Sequence, residues 1–167
     1  MYTQANISHQ AYIQRELITT AVFNILLCVF FTYVFVPKAA IALWGDKGIA
    51  VDLVPTAFML TLLGNTVITL VTRHRLRGGK ISPLLPGRCG WLARHLPRHA
   101  ALRIAVLAVG ATVVVVPLSV LAFWMLGVQA VRFDHYLWFK ACYGPLVGAL
   151  TSRSALEAAL ASPDQRT

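Results

Sequence analysis

Four apolar runs separated by polar stretches organise the chain. They cover about 17–36, 51–71, 102–124 and 136–151. An α-helix rises about 1.5 Å per residue, so roughly twenty residues cross about 30 Å of hydrocarbon. The first three runs reach that length. The fourth is shorter and begins with the aromatic stretch YLWF. All four are read as membrane-spanning helices. The expected fold is all-α, a single transmembrane domain over 1–167.

The apolar pattern is written twice. Moved forward by 80 positions, residues 21–73 lie over 101–153 without a gap. Pro37 then falls on Pro117, Trp44 on Trp124, Gly64 on Gly144 and Arg73 on Arg153. Many other coincidences are Ala, Val or Leu and carry little weight. The alternative is two unrelated hairpins that share the constraints of a bilayer. Duplication predicts two parallel repeats of a helical hairpin, about 17–76 and 101–156. Each copy holds two spans, so the pseudo-symmetry axis would run along the membrane normal.

The polar segments supply ends and turns. Residues 1–16 hold one Arg and one Glu, and Ser8 is placed to cap a helix. No small-residue cleavage pattern comes after the first run, which is therefore read as an uncleaved span. Pro37 should kink span 1 rather than end it, with KAAIALWG continuing as helix, Lys38 snorkelling and Trp44 anchored at the interface. Pro117 should kink span 3 in the same way, with Trp124 anchored at the same end. GDKG (45–48) reads as a turn, with Asp52 free to cap span 2 and Pro55 tolerated in its first turn. The tail after 151 reads as a frayed helical end.

Charge then orients the chain. The long loop, about 72–100, holds Arg73, Arg75, Arg77, Lys80, Arg88, Arg94 and Arg98 and no acid. The positive-inside rule places it in the cytoplasm, and with four spans both termini join it there. Near a membrane surface each such cation attracts anionic lipid by about 1 kcal/mol. The loop is thus a candidate site for anionic lipid headgroups or an acidic cytoplasmic partner; it could also act only as a topology determinant. Within it, CGWLARHL could lie on the membrane with Trp91 and Leu92 inserted. Arg103 is expected to snorkel toward the same surface. Overall the chain is 57% hydrophobic, 13% charged and carries net charge +9. Its mean hydropathy is +0.67. A soluble domain carries nearer a quarter charged residues.

Little of the polar inventory points to chemistry. Cys28, Cys89 and Cys142 stand apart, without a C-x-x-C spacing. The histidines, His9, His74, His95, His99 and His135, lie in loops or at span ends, so paired haem ligands are not expected. His95 and His99 have helical ligand spacing, but Pro97 interrupts it and no third ligand is evident, so no metal or cofactor is expected. No acid lies in the middle of a span, which argues against a proton-coupled pump. Nucleic-acid binding is not expected of a loop pinned to the bilayer, and no recognition helix is visible.

Four features are left. Asn24 and Asn65 form a candidate intramembrane polar site. They either line a pathway or bond to each other or to a helix backbone as packing glue, which contributes about 0.6 kcal/mol. Lys140 either contacts an anion or snorkels to the outer interface. Gly144-Pro-Leu-Val-Gly148 is a G-x-x-x-G suited to a close helix contact, within the bundle or between protomers. Finally, Trp44 to Pro55 spells W-G-x-x-G-x-A-x-D-x-x-P. This resembles a motif of small bacterial four-span inner-membrane proteins of unassigned function, some loosely labelled permease. The second hairpin lacks its Gly, Asp and Pro. The resemblance implies location more than activity.

The expected function is that of an accessory or structural protein of a bacterial inner membrane, acting through anionic lipid or a membrane partner. The alternative is a small transporter, which with so short a core would need a homo-oligomer. No nucleophile, metal set or acid–base pair converges, so an enzyme is not expected.

Overall fold

The structure is a computed structural model and describes residues 9–79, 81, 95, 97 and 99–161. Among these residues four α-helices form a bundle: α1 (His9–Phe35), α2 (Ile49–Arg77), α3 (Ala100–Met125) and α4 (Phe133–Ala161). The all-helical expectation is met. α1 (from Ala11), α2 and α3 are long and apolar enough to cross a membrane. Their outward faces suit that setting: Ile18, Val22, Leu26 and Phe30 recur every four residues along α1 and are all exposed. Large exposed apolar faces mark contact with lipid or protein.

Helix order in space differs from helix order in the chain. α1 packs chiefly on α4, α3 packs chiefly on α2, and α2 and α4 pack on each other. The two helices within each hairpin touch far less. Two apolar cores result. At the hairpin end, Ile49, Leu53 and Ala57 of α2 meet Val115 of α3 and Tyr136, Tyr143 and Val147 of α4. At the terminal end, Tyr12 and Ile68 meet Leu107, Ala155, Leu156 and Leu160. The last three correct the expectation of a frayed tail. Ala155, Leu156, Ala159 and Leu160 are fully buried, so packing holds the helix through to Ala161.

The two prolines part company. Pro117 lies inside α3, as expected. Pro37 does not continue α1, which ends at Phe35. The difference lies in the residues C-terminal to each proline. Ile41 and Leu43 alternate with exposed Ala42 and Trp44, a period of two that suits a strand. Ile41 and Leu43 are buried in the hairpin-end core, and Leu43 N donates to Gln129 O at 2.9 Å. β1 (Ile41–Ala42) thus pairs antiparallel with β2 (Ala130–Val131), in the register Ile41 to Val131 and Ala42 to Ala130. This small ladder ties the α1–α2 connection to the α3–α4 connection.

Glycine sets the α1–α4 distance. A Cβ on Gly144 would lie 2.8 Å from Cys28 Sγ and 3.0 Å from Asn24 O. One on Gly148 would lie 2.2 Å from Asn24 Nδ2. The G-x-x-x-G therefore serves a contact inside the bundle, against α1. Gly144→Ala should cost about 1–3 kcal/mol, because a backbone carbonyl cannot yield as a flexible side chain does. Gly110→Ala, where a Cβ meets nothing within 4 Å, should be neutral. Thermal unfolding of both variants in one detergent checks the contrast.

Candidate functional site

Two pairs of side chains, each spaced by four residues, interlock between α2 and α4. Asp52 and Thr56 lie one turn apart on α2; Tyr136 and Lys140 lie one turn apart on α4. Tyr136 donates its hydroxyl hydrogen to Asp52 Oδ2. Lys140 Nζ reaches the same oxygen at 2.5 Å and also donates to Thr56 Oγ1. Thr56 in turn donates to the carbonyl of Asp52 at 2.7 Å. Lys140 also lies 5.4 Å from the centroid of the Tyr136 ring.

This arrangement corrects two expectations. Asp52 does not cap α2: Gly48 holds the N-cap position without a side-chain bond, and Asp52 reaches across to α4. Nor does Lys140 snorkel, since it is 2% exposed. A lone charge deep in a bilayer costs about 3 kcal/mol or more on insertion scales. Opposite charge and a hydroxyl inside the bundle offset that cost more directly than a stretch to the interface. The clue in the sequence was the pair of opposite charges near the same ends of the second and fourth runs, each with a hydroxyl one turn away.

The cluster floors a cleft. A cavity of about 310 Å³ opens between α1 and α2, with Lys140 of α4 at its base. That is the small end of ligand cavities, which run about 300–1,000 Å³. Leu27, Phe31 and Phe35 form one wall; Pro55, Met59 and Leu63 form the other. The two floor charges are not equally accessible. The Asp52 side chain is 30% exposed and that of Lys140 3%. The carboxylate therefore faces the cleft while the ammonium serves to hold it. Such a site suits a molecule with an apolar body and an N–H or O–H donor at one end.

The two asparagines do not bond to each other. Asn24 Nδ2 donates to Gly144 O at 3.4 Å, a long bond, and its Oδ1 has no partner among the described residues. Asn65 is fully buried, with neither side-chain polar atom partnered there. Thr61 and Thr69, four residues to either side, share that condition on the same face of α2. Arg103 is 1% exposed, with Nε and one terminal nitrogen unpartnered among the described residues, so it does not snorkel. Arg73, Arg75 and Arg77 lie on the last turns of α2, and Arg75 pairs with Glu16 of α1. Lys80, Arg88, Arg94 and Arg98 of the basic loop lie outside the described residues, as do Ser8, Cys89 and the Trp91–Leu92 membrane contact. No cluster of metal-ligating side chains occurs among the described residues.

No family model, curated protein or solved structure matches the chain. The functional reading therefore rests on its own geometry.

Removing one member of a buried ion pair strands the other. Asp52→Leu leaves Lys140 buried without its counter-charge and should destabilise by about 3 kcal/mol. Lys140→Met should cost less, because Asp52 retains Tyr136 and partial solvation. The double variant should recover most of the Asp52→Leu loss. A double-mutant cycle of unfolding in micelles gives the coupling energy.

Proposed function

We propose that the chain is an accessory membrane protein that acts through lipid, holding an amphiphile in the cleft between α1 and α2 without catalysing a reaction. The observation that carries this reading is the cleft itself. Its walls are apolar on both sides, and its floor offers a carboxylate locked in place by Lys140 and Tyr136. An amphiphile fits with its tail along Phe31, Phe35, Met59 and Leu63 and its donor group at Asp52.

The same proposal includes a bacterial inner membrane, four spans and cytoplasmic termini. For α4 as the fourth span, the support is that its buried Lys140 is neutralised within the bundle. For the orientation, it is the acid-free run of cations from Arg73 to Arg98. Two parallel hairpin repeats are supported by the packing order, in which α1 lies on α4 as α3 lies on α2. The loop cations add a second hold on anionic lipid or on an acidic partner.

A small oligomeric transporter is the second reading. It is favoured by the buried polar atoms of Thr61, Asn65 and Thr69, which have no partner among the described residues and lie along one face of α2. Polar groups in a membrane interior are commonly found facing a partner helix or a water-filled path.

Native mass spectrometry of protein extracted in mild detergent tests both. The wild type should retain one tightly held amphiphile. Met59→Trp, which fills the cleft from its partly exposed wall, should lower that retention about tenfold with melting unchanged, the equivalent of ~1.4 kcal/mol. Equal retention by this variant would overturn the cleft reading. A defined oligomer carrying a small non-lipid ligand would move transport to first place.

A further inference from the structure

The seam between α1 and α2 has a second opening, at the terminal end. Gly64 of α2 meets Asn24 of α1 at mid-seam, where a Cβ on Gly64 would lie 3.4 Å from Asn24 Oδ1. Beyond this waist a separate cavity of about 320 Å³ is lined by both helices. Its composition is graded. Phe23, Val67 and Val71 lie toward the waist, and Thr19, Arg15 and Arg75 toward the helix ends.

We propose that this cavity binds the head group of an anionic phospholipid, with Arg15 and Arg75 taking the phosphate and an acyl chain running along Phe23, Val67 and Val71. Three observations support it. First, Arg75 is held in place yet not used up. Glu16, whose side chain is 8% exposed, pairs with it, and the Tyr12 ring lies 5.5 Å from its guanidinium. Even so, the Arg75 side chain stays 34% exposed. A guanidinium has five N–H donors, and one carboxylate engages at most two.

Second, Arg15 is exposed, and its guanidinium has no partner among the described residues; only its backbone carbonyl is used, by Thr19. Two guanidinium groups against one carboxylate leave the mouth with one net positive charge. Third, the gradient matches the occupant. A free phosphate would fill only the charged mouth and leave the apolar part of the cavity without a partner. A lipid fills both, with its head at the helix ends and its tail toward the membrane centre. This is the end that the basic loop assigns to the cytoplasm, where anionic lipids concentrate.

The site needs the chain to be membrane-embedded but does not depend on the cleft at the other end of the seam. Lipid titration of the full chain in mild detergent, read by native mass spectrometry, tests it. Phosphatidylglycerol should bind more tightly than phosphatidylethanolamine at the strongest step. Arg15→Gln alters an exposed side chain and should weaken that step about fivefold, with melting unchanged. Val67→Trp, placed in the apolar part, should weaken it as well. Inorganic phosphate at millimolar concentration should not displace the lipid, and Met59→Trp should leave this step untouched. The proposal is overturned if Arg15→Gln and Val67→Trp bind phosphatidylglycerol like the wild type, if the two lipids bind equally, or if phosphate alone competes.

Discussion

The close approach of α1 to α4 governs the rest of the structure. Gly144 and Gly148 let Asn24 and Cys28 lie against the α4 backbone, at distances no side chain would permit. Without a hydrophobic drive between helices in lipid, such backbone approach is what binds one helix to another. Drawn onto α4, α1 is left only lightly packed on α2. The seam between them closes at Gly64 and opens to either side, which yields both cavities. The position of Lys140 has the same origin. It lies one turn before Gly144, facing α2 where α1 does not cover it.

Electrostatics then decides what the seam can hold. Each end carries an ion pair that joins two helices: Asp52 with Lys140 at one end, Glu16 with Arg75 at the other. In each pair the more buried member fixes the more exposed one. At the hairpin end the buried member is the lysine, so the accessible charge is a carboxylate. At the terminal end the buried member is the glutamate, so the accessible charge is a guanidinium. One seam thus presents opposite polarities at its two openings, and only the second matches an anionic head group.

Much of this was legible in the sequence, and the failures have physical causes. The apolar runs located all four helices, because length and continuity are what a bilayer demands, but not the ends of α1, α2 and α4 that extend past the apolar stretch. The glycine spacing at 144 and 148 correctly announced a close contact, but not with which helix. For Lys140 the sequence left anion contact and snorkelling open, because distance from a helix end says nothing of the direction a side chain faces. Facing Asp52, it is paired; facing lipid, it would have to snorkel. Pro37 and Pro117 look equivalent in one dimension. They diverge because IALW at 41–44 finds a strand partner at 130–131, whereas LAFW at 121–124 continues its helix. That partner is a tertiary fact. The buried guanidinium of Arg103 and the paired Glu16 likewise became visible only with their surroundings.

Duplication would also bear on where function resides. In the proposed alignment Asp52 falls opposite Arg132, Thr56 opposite Tyr136 and Lys140 opposite Leu60. The charged cluster therefore does not repeat; it is made once, across the two central helices. Arg132 makes instead a loose, exposed pair with Asp134 at 3.8 Å. Asn24 and Cys28 fall opposite Ile104 and Ala108, so apolar side chains stand in α3 where α1 carries a polar pair. A structural duplication alone would leave two equivalent seams. In this chain the α1–α2 seam has a waist at Asn24 and Gly64 and an ion pair at each end. That asymmetry suits a single ligand orientation in the seam between α1 and α2.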